Sequence, residues 1–235
     1  MSSPVPPAGS ELPARDIVDV RLSAAIGEGG CPVCVVRARA ERAMMDSVIA
    51  QLVLDIGFRG ELERTQAFCR RHLRELIVAD RRGPGGTLGS SILYGAIIDR
   101  RLDVIRDAIG SKGRGLRVRL RLARRRPPCA ACTEGQNAVD TALARMTERS
   151  RDPGWADALA RAAFCLDDLL ALWTVASGEP AFRPIAERQV ARVRDIRHRL
   201  DGFVAHSSHD RRHLLTDLEA AATDEAADLL SGPRP

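Results

Sequence analysis

Apolar residues recur along most of the chain with the spacing of amphipathic helices. The segment 16–30 has this spacing and ends at glycines, and the segment 90–110 carries a broad apolar stripe that ends at Gly110. Asp152 followed by Pro153 is typical of a helix start, because an N-cap residue precedes proline there. The pattern predicts an all-α fold.

Further helices are predicted on both sides of these segments. One begins at the CPVC phrase, residues 31–34, and is expected to stop at Gly57. Two long helices are expected to close the sequence, over about 184–204 and 208–230. Only the segment 116–122, LRVRLRL, alternates with the period of a strand.

Two cysteine-containing phrases occur twice at nearly constant separation. The pair Cys31 and Cys34 in CPVC is followed 98 residues later by Cys129 and Cys132 in CAAC. The phrase FCRRH, residues 68–72, is followed 96 residues later by FCLDD. All six cysteines belong to this scheme. It predicts an internal duplication, with two related helical halves that are each built around a cysteine-rich metal clamp.

The repeat also predicts how the chain is divided. We expect a flexible N-terminal tail over 1–15 and a first helical, metal-binding half over 16–110. An arginine-rich linker over 111–128 is expected to lead into a second helical half over 129–232, which holds a degenerate metal site and the C-terminal helices.

The charge distribution and the N-terminal sequence indicate in which cellular compartment the protein is expected. The formal net charge is +5, but the segment 111–126 holds eight cations and no carboxylate, so the rest of the chain is mildly acidic. The N-terminus has no signal-peptide pattern, and no run of about 18 apolar residues predicts a membrane span. We expect a cytoplasmic protein, in which paired thiols favour a metal site over disulfides.

The first half supplies four ligands that suit zinc: Cys31, Cys34, Cys69 and His72. The two-residue gap within each pair brings its two side chains to one point, through a tight turn in CPVC and through one helical turn after Cys69. Structural zinc takes four such ligands in a tetrahedron. We therefore expect one zinc ion that ties two helix starts together.

The second half repeats the three thiols as Cys129, Cys132 and Cys165, but Asp168 stands in the place of the histidine. A carboxylate can bind zinc, although it is a harder ligand than an imidazole. The second site is expected to be weaker, differently filled or empty, which gives one or two zinc ions per chain. Asp167, or a histidine from elsewhere, is the alternative fourth ligand.

Other chemistry would also use such residues. An iron–sulfur cluster can be held by three cysteines and one histidine. A CPxC redox pair normally follows a strand, and no strand is predicted before Cys31. Buried cysteines can also be ordinary core residues. Zinc is favoured because helical sites with three cysteines and one histidine more often hold zinc.

The linker carries arginines that would suit phosphate groups: Arg117, Arg119, Arg121, Arg124, Arg125 and Arg126. It lacks aromatic residues on which bases could stack. A solvated linker is the simpler interpretation, and binding of nucleic acid or another polyanion is the alternative.

Three late histidines are spaced as on one helix face: His206, His209 and His213. Such a face could bind a metal by itself. A solvated, partly charged helix face is the favoured interpretation, because no thiol or clear acidic partner is fixed nearby by the sequence.

The chain has no GxSxG, P-loop, GxGxxG after a strand, or HExxH motif, which favours a binding protein over an enzyme. The predicted function is a zinc-stabilised helical adaptor or regulator that recognises a protein or an anionic partner. One alternative is a metal-dependent enzyme, or a metal or redox sensor, that uses the second site. The other is polyanion binding through the linker.

The phrases GCPVC and AFCRRH, the helix around ILYGAII, and the second CxxC and FC phrases resemble an uncharacterised bacterial family. Its members carry duplicated CPxC…FCxxH units, and some are labelled ABC-transporter substrate-binding proteins. The resemblance covers about residues 20–205 and implies a first metal set in the first half and a second in the second half. The sequence departs from the family at Ala130, in the place of proline, and at Asp168, in the place of histidine. The family implies no established reaction.

Overall fold

The computed structural model describes residues 12–65, 68–110 and 128–232, without the side chains of residues 63–65 and 108. Within these ranges the protein is helical and has no β-strand, which confirms the predicted all-α fold. The strand-like segment 116–122 lies outside the described residues.

The described residues form ten α-helices, named α1 to α10 in chain order. They span Ile17–Gly27 (α1), Pro32–Ser47 (α2), Ile56–Thr65 (α3), Arg70–Arg82 (α4), Leu88–Ile109 (α5), Ala130–Arg149 (α6), Pro153–Arg161 (α7), Leu166–Val175 (α8), Arg183–His206 (α9) and Asp217–Ser231 (α10). A π-helical turn at Val48–Leu52 follows α2, and 3₁₀ turns lie at Pro180–Phe182 and Arg212–Leu214.

Polar residues fix several helix starts. The Asp16 carboxylate accepts hydrogen bonds from the backbone N–H groups of Val18 and Asp19, and so caps α1. Asp152 is the N-cap residue of α7, with proline in the first turn as predicted. Thr216 and Glu219 form a capping box at the start of α10.

The helix predicted from residue 31 to Gly57 is interrupted. The α-helical part ends at Ser47, and α3 begins at Ile56, so Gly57 lies inside the first turn of α3 rather than at a helix end. The reason is Asp55, whose carboxylate accepts a 2.6 Å hydrogen bond from the backbone N–H of Phe58 and thereby favours a new helix start.

The chain packs as two compact units, the first formed by residues 1–38 and 138–235 and the second by residues 39–137. These units differ from the predicted halves, 16–110 and 129–232, whose limits were taken from the sequence repeat. The limits of the packed units fall inside α2 and α6, so the amino end of each of these helices belongs to one unit and its carboxyl end to the other.

Each unit has its own apolar core. The first is built around large buried side chains that include Met146, Trp155, Phe164 and Phe182. In the second, α3 and α4 pack on α5, and the core includes Met45, Leu62, Phe68, Leu76 and Leu93. Cysteine side chains contribute to both cores: Cys31, Cys129 and Cys165 are buried, and the other three are partly exposed at the edge of a core.

A buried ion pair joins α1 to the end of α6 in the first unit. Asp19 and Arg149 are 0% and 1% exposed, and the Arg149 guanidinium donates hydrogen bonds to both Asp19 oxygens. Arg145 donates a further 2.9 Å bond to Asp19. Burial acts to raise the pKa of Asp19, but these hydrogen bonds outweigh it and lower that pKa to about 2.

The predicted tail, 1–15, is described only from residue 12. The Pro13 carbonyl accepts a 3.0 Å bond from the indole of the buried Trp155, and the Arg15 backbone N–H donates to Asp19. Leu12 packs against the core of the first unit. Residues 12–15 therefore contact the helices beside them.

Candidate metal centres

Every candidate ligand lies at a helix start. Cys31 and Cys129 directly precede α2 and α6, and each is followed one turn later by the second cysteine of its pair. Cys69 and Cys165 are the N-cap residues of α4 and α8, and neither side chain caps its helix. Their sulfurs are therefore available for other partners. Unpaired backbone N–H groups at these ends favour thiolates.

One group of ligand atoms lies in the second unit. We call it the His72 cluster: Cys69, His72, Cys129 and Cys132. Its four ligand atoms all lie within 4.8 Å of one another. The His72 Nδ1 atom stands 3.3 Å from the sulfur of Cys69, 3.2 Å from that of Cys129 and 3.4 Å from that of Cys132.

The other group lies in the first unit. We call it the Asp168 cluster: Cys31, Cys34, Cys165 and Asp168. A single carboxylate oxygen, Oδ2 of Asp168, stands 3.2, 3.0 and 3.1 Å from the sulfurs of Cys31, Cys34 and Cys165 respectively. The two clusters thus share one plan, in which one nitrogen or oxygen atom faces three sulfurs.

This grouping corrects the predicted one. Cys31 and Cys34 were expected to share a site with Cys69 and His72, but the structure brings them to Cys165 and Asp168 instead. The FCRRH phrase correspondingly meets the second CxxC pair rather than the first. Each CxxC pair therefore combines with the phrase from the other half of the sequence.

The sulfur–sulfur distances fit one tetrahedral ion per cluster, and the distances from sulfur to nitrogen or oxygen, 3.0–3.4 Å, are slightly shorter than those around such an ion. With Zn–S bonds of about 2.3 Å, the sulfur–sulfur edge of a tetrahedron is about 3.8 Å, and edges to a nitrogen or oxygen ligand are about 3.5 Å. The Cys69–Cys132 and Cys34–Cys165 sulfurs are 3.9 and 3.8 Å apart. All six cysteines are free thiols, so no disulfide competes for these sulfurs. Both clusters are thus able to hold a metal ion.

The other ring nitrogen of His72 faces acidic side chains. Its Nε2 atom lies 3.5 Å from a carboxylate oxygen of Glu41 and 3.4 Å from one of Glu75. Arg71 also approaches Nε2, at 3.0 Å, and donates a 2.6 Å bond to Glu41. When Nδ1 binds a metal, Nε2 carries the ring proton and its N–H has Glu41 and Glu75 as acceptors; Arg71, which can only donate, then keeps its bond to Glu41 and not to the ring.

The other oxygen of Asp168 faces a basic side chain. Its Oδ1 atom lies 3.6 Å from the guanidinium of Arg37, which follows Cys34 by three residues on α2. A second arginine, Arg192 on α9, donates a 3.2 Å bond to the Phe164 carbonyl. Burial lowers the pKa of Arg192, and the nearby Cys31 acts in the opposite direction.

Crowding gives the thiols within one cluster unequal pKa values. Hydrogen bonds from Cys165 and Cys34 lower the pKa of Cys31 to about 4, whereas contact with the same neighbours raises the pKa of Cys34. Burial and the adjacent Cys129 raise the pKa of Cys132 to about 12. One thiolate is thus favoured, and its charge opposes the next ionisation. A cation at the centre removes this opposition, because thiolates are the ligands that metals bind.

The late histidines do not share a helix face. His206 is the last residue of α9, and His213 lies in the 3₁₀ turn before α10. His206 contacts Glu219 at 3.2 Å. Among the described residues, the groups of side chains that could hold a metal do not include these histidines. The arginines proposed for polyanion binding, residues 117–126, lie outside the described ranges.

The charged residues around the clusters were missed at the sequence level. Two of them carried a local signal, since Glu75 follows His72 by three residues and Arg37 follows Cys34 by three, which places each pair on one helix face. Glu41 carried no such signal, because it lies on α2 and far from His72 in sequence.

Fold and sites together define an all-helical protein with two cysteine-rich clusters, each able to hold a metal ion. The chain belongs to a family described as a family of unknown function (DUF6062), whose model matches residues 15–176. All eight cluster residues lie within that range, whereas α9 and α10 lie beyond it.

Membership of an uncharacterised family is thereby confirmed. The duplicated CPxC…FCxxH pattern and the transporter label stay predictions. No curated protein and no solved structure matches the chain. None of the described helices is both long enough and apolar enough to cross a membrane.

Proposed function

We propose that each cluster binds one zinc ion, and that the two ions are structural supports of a helical binding or regulatory protein. The observation that carries this proposal is the position of the His72 Nδ1 atom, 3.2–3.4 Å from three sulfurs at once. The same relation holds for Oδ2 of Asp168 in the other cluster.

Hydrogen bonding alone does not account for this arrangement. A ring nitrogen carries either one proton or one lone pair, so it forms a hydrogen bond with one of the three sulfurs, and the other thiols are left with long sulfur contacts such as the 3.9 Å between Cys69 and Cys132. Thiols are weak donors and acceptors, so such contacts stabilise little. A cation placed between the four atoms interacts with all of them, which gives a physical reason for their convergence.

Ligand type and spacing favour zinc over an iron–sulfur cluster. Three thiolates with one imidazole form a donor set typical of structural tetrahedral zinc, and a carboxylate oxygen can bind zinc in place of the imidazole. In an iron–sulfur cluster the cysteines bind different irons, so their sulfurs do not surround a single point. Here every ligand atom of a cluster is within 4.8 Å of every other, which suits a single ion.

A structural role follows from the number of ligands. Catalytic zinc sites keep a position open for water or substrate, whereas four protein ligands close the shell. Each cluster also joins two helix starts, α4 with α6 and α2 with α8. The metals then hold helices in place, and the helical surface is left to recognise a partner.

The proposed duplication has structural support of the same kind. Cys69 and Cys165 are both N-cap residues with extended backbone, and Cys31 and Cys129 both stand one residue before a long helix. The proposed cytoplasmic location is supported by six free thiols, since a reducing compartment keeps such ligands available.

Elemental analysis of the purified protein tests the metal assignment. We expect two zinc ions per chain in the unaltered protein, one each in His72→Ala and Asp168→Ala, and none in the double variant. His198→Ala is the matched control, because His198 is exposed and outside both clusters, and it keeps two. A metal-free protein, or a brown one that contains iron and sulfide, would overturn the proposal.

A sensor or enzyme that uses the Asp168 cluster is the second candidate, and the partial exposure of Cys34 favours it. Replacing zinc with cobalt, which absorbs visible light, distinguishes a structural site from a sensor or catalytic site. A closed site keeps the visible spectrum of the cobalt protein unchanged when azide is added. A site with an open position binds the anion, and its spectrum shifts.

Polyanion binding through the linker stays a separate proposal. It predicts retention on DNA at low salt that is lost when Arg124, Arg125 and Arg126 are replaced by alanine. No retention at low salt would remove it.

A further inference from the structure

The fourth ligand and the charge behind it change together between the two clusters. In the His72 cluster an imidazole faces the sulfurs, and the acids Glu41 and Glu75 stand behind it together with Arg71. In the Asp168 cluster a carboxyl group faces the sulfurs, and Arg37 stands behind it. The outer oxygen of Asp168 therefore faces a cation, whereas the outer nitrogen of His72 faces two acids and one arginine.

The charge count explains why the partner must differ. Zinc with three thiolates and a neutral imidazole carries one net negative charge, and with a carboxylate instead it carries two. The side chain of Asp168 is only 5% exposed, so water does little to offset the added charge. A guanidinium 3.6 Å from Oδ1 offsets this added charge, so that zinc, its four ligands and Arg37 together carry one net negative charge.

The two oxygens of the Asp168 carboxyl group have different neighbours. Oδ2 faces the three sulfurs, while Oδ1 points to Arg37. This orientation offers a metal one oxygen, as a four-coordinate site requires, and keeps the second oxygen from becoming a fifth ligand. Arg37 is itself 38% exposed in its side chain, so its charge is not costly to maintain.

We propose that Arg37 is the positioning residue that makes Asp168 a competent zinc ligand, so that the second cluster is a complete site rather than a degenerate one. The inference rests on the proposed function, because it assumes that zinc binds there. Arg192 is a further cation near Cys31, but it donates a hydrogen bond to the Phe164 carbonyl, whereas Arg37 contacts the ligand carboxylate directly.

The test is a titration of the zinc-loaded protein with a competing chelator, which reports the two sites as separate steps. Arg37→Ala is expected to lower the zinc affinity of the Asp168 cluster by about 10–100-fold and leave the His72 cluster unchanged. Arg37→Lys keeps the charge and is expected to recover most of the affinity. Arg42→Ala is the matched control, an exposed arginine on the same helix, and it changes neither step.

A pair of substitutions that exchanges the charges at positions 168 and 37 distinguishes a positioning role of Arg37 from a general role in the stability of the fold. In Asp168→His the arginine faces an imidazole that must donate from its outer nitrogen, so zinc binds poorly. Adding Arg37→Glu places an acid behind the imidazole, as Glu41 stands behind His72, and is expected to recover zinc binding at least tenfold over the single variant. A purely structural arginine would not be rescued by a residue of opposite charge.

The outcomes also separate this inference from the function on which it rests. If the unaltered protein holds fewer than two zinc ions, the proposed function fails for that cluster. If it holds two, and Arg37→Ala still holds both with unchanged affinity, only the inference fails. Retention of zinc in the His72 cluster shows that each variant is folded.

Discussion

Gly232 lies directly against Cys34: a Cβ atom added to Gly232 would stand 2.7 Å from the Cys34 sulfur. Gly232 ends α10 with a φ of 75°, a conformation that other residues rarely adopt. The end of α10 therefore covers the partly exposed sulfur of the Asp168 cluster, although α10 lies beyond the residues that the family model matches.

We expect Gly232→Ala to loosen the zinc of the Asp168 cluster. The methyl group forces Cys34 or the helix end to move, and the positive φ adds a cost of about 1 kcal/mol or more. Zinc should pass from this cluster to a chelator roughly tenfold faster. Gly154→Ala is the control, since its added Cβ meets nothing within 4 Å. Equal transfer rates in the unaltered protein and Gly232→Ala would contradict the prediction.

Asp19→Asn is expected to destabilise the protein by about 3 kcal/mol. It leaves the buried Arg149 with its contact to Asp152 but without its buried anionic partner. Urea unfolding measures the loss. Asp157→Asn is the matched change on an exposed ion pair with Arg161, and it should cost no more than about half a kcal/mol. Similar losses in the two variants would show that burial of the pair is unimportant.

The stabilising effect of Asp19 should depend on pH. Its pKa is lowered from 3.8 to about 2 in the folded protein, so the stabilisation is complete above about pH 4 and is lost as the pH falls towards 2. The difference in the free energy of unfolding between the unaltered protein and Asp19→Asn should shrink over this interval. Loss of zinc in acid affects both proteins, so the difference isolates Asp19. A constant difference would count against the ion pair.

Chelation should lower the melting temperature of the protein by roughly 10 °C or more, because ions that bind only the folded state stabilise it. Adding zinc back should restore the original value. Asp168→Ala, with one cluster left, is expected to lose less on chelation than the unaltered protein. A protein that melts at the same temperature with and without chelator would contradict a structural role for the metals.

Glu41→Gln should weaken zinc binding by the His72 cluster by about tenfold or more. The buried carboxylate faces the outer nitrogen of His72, and removing its charge makes the imidazole a poorer ligand. Chelator titration measures the effect. Glu187→Gln is the control, because Glu187 is exposed and pairs with Arg183 at 3.0 Å. An effect on the Asp168 cluster alone would refute the proposed pairing.

The sequence predicted the helices better than the contacts between them. Regular apolar spacing placed α1 and α5 close to their observed ranges, because local periodicity reports on one helix at a time, and the cap signal at Asp152 placed the start of α7. The break before α3 was missed because a short capping interaction at Asp55 outweighs a continuous apolar pattern.

The cluster residues were predicted, but their partners were not. Spacing of two residues shows that Cys69 and His72 point the same way, and it says nothing about which CxxC pair they meet. Sequence proximity favoured Cys31 and Cys34, whereas packing brings in Cys129 and Cys132. Glu41 could be found only once α2 and α4 were in place, since Glu41 and His72 lie 31 positions apart.

The order of synthesis gives this arrangement a consequence for the growing chain. Cys31, Cys34, Cys69 and His72 all emerge before Cys129, and a ribosome adding about 5–20 residues per second needs several seconds to cover the interval. During that time these four are the thiol and imidazole ligands that this sequence presents. A zinc ion bound at that stage is held by a non-native set of ligands. The two pairs must then separate, so that each can join its native partners from the later part of the chain, before folding is complete.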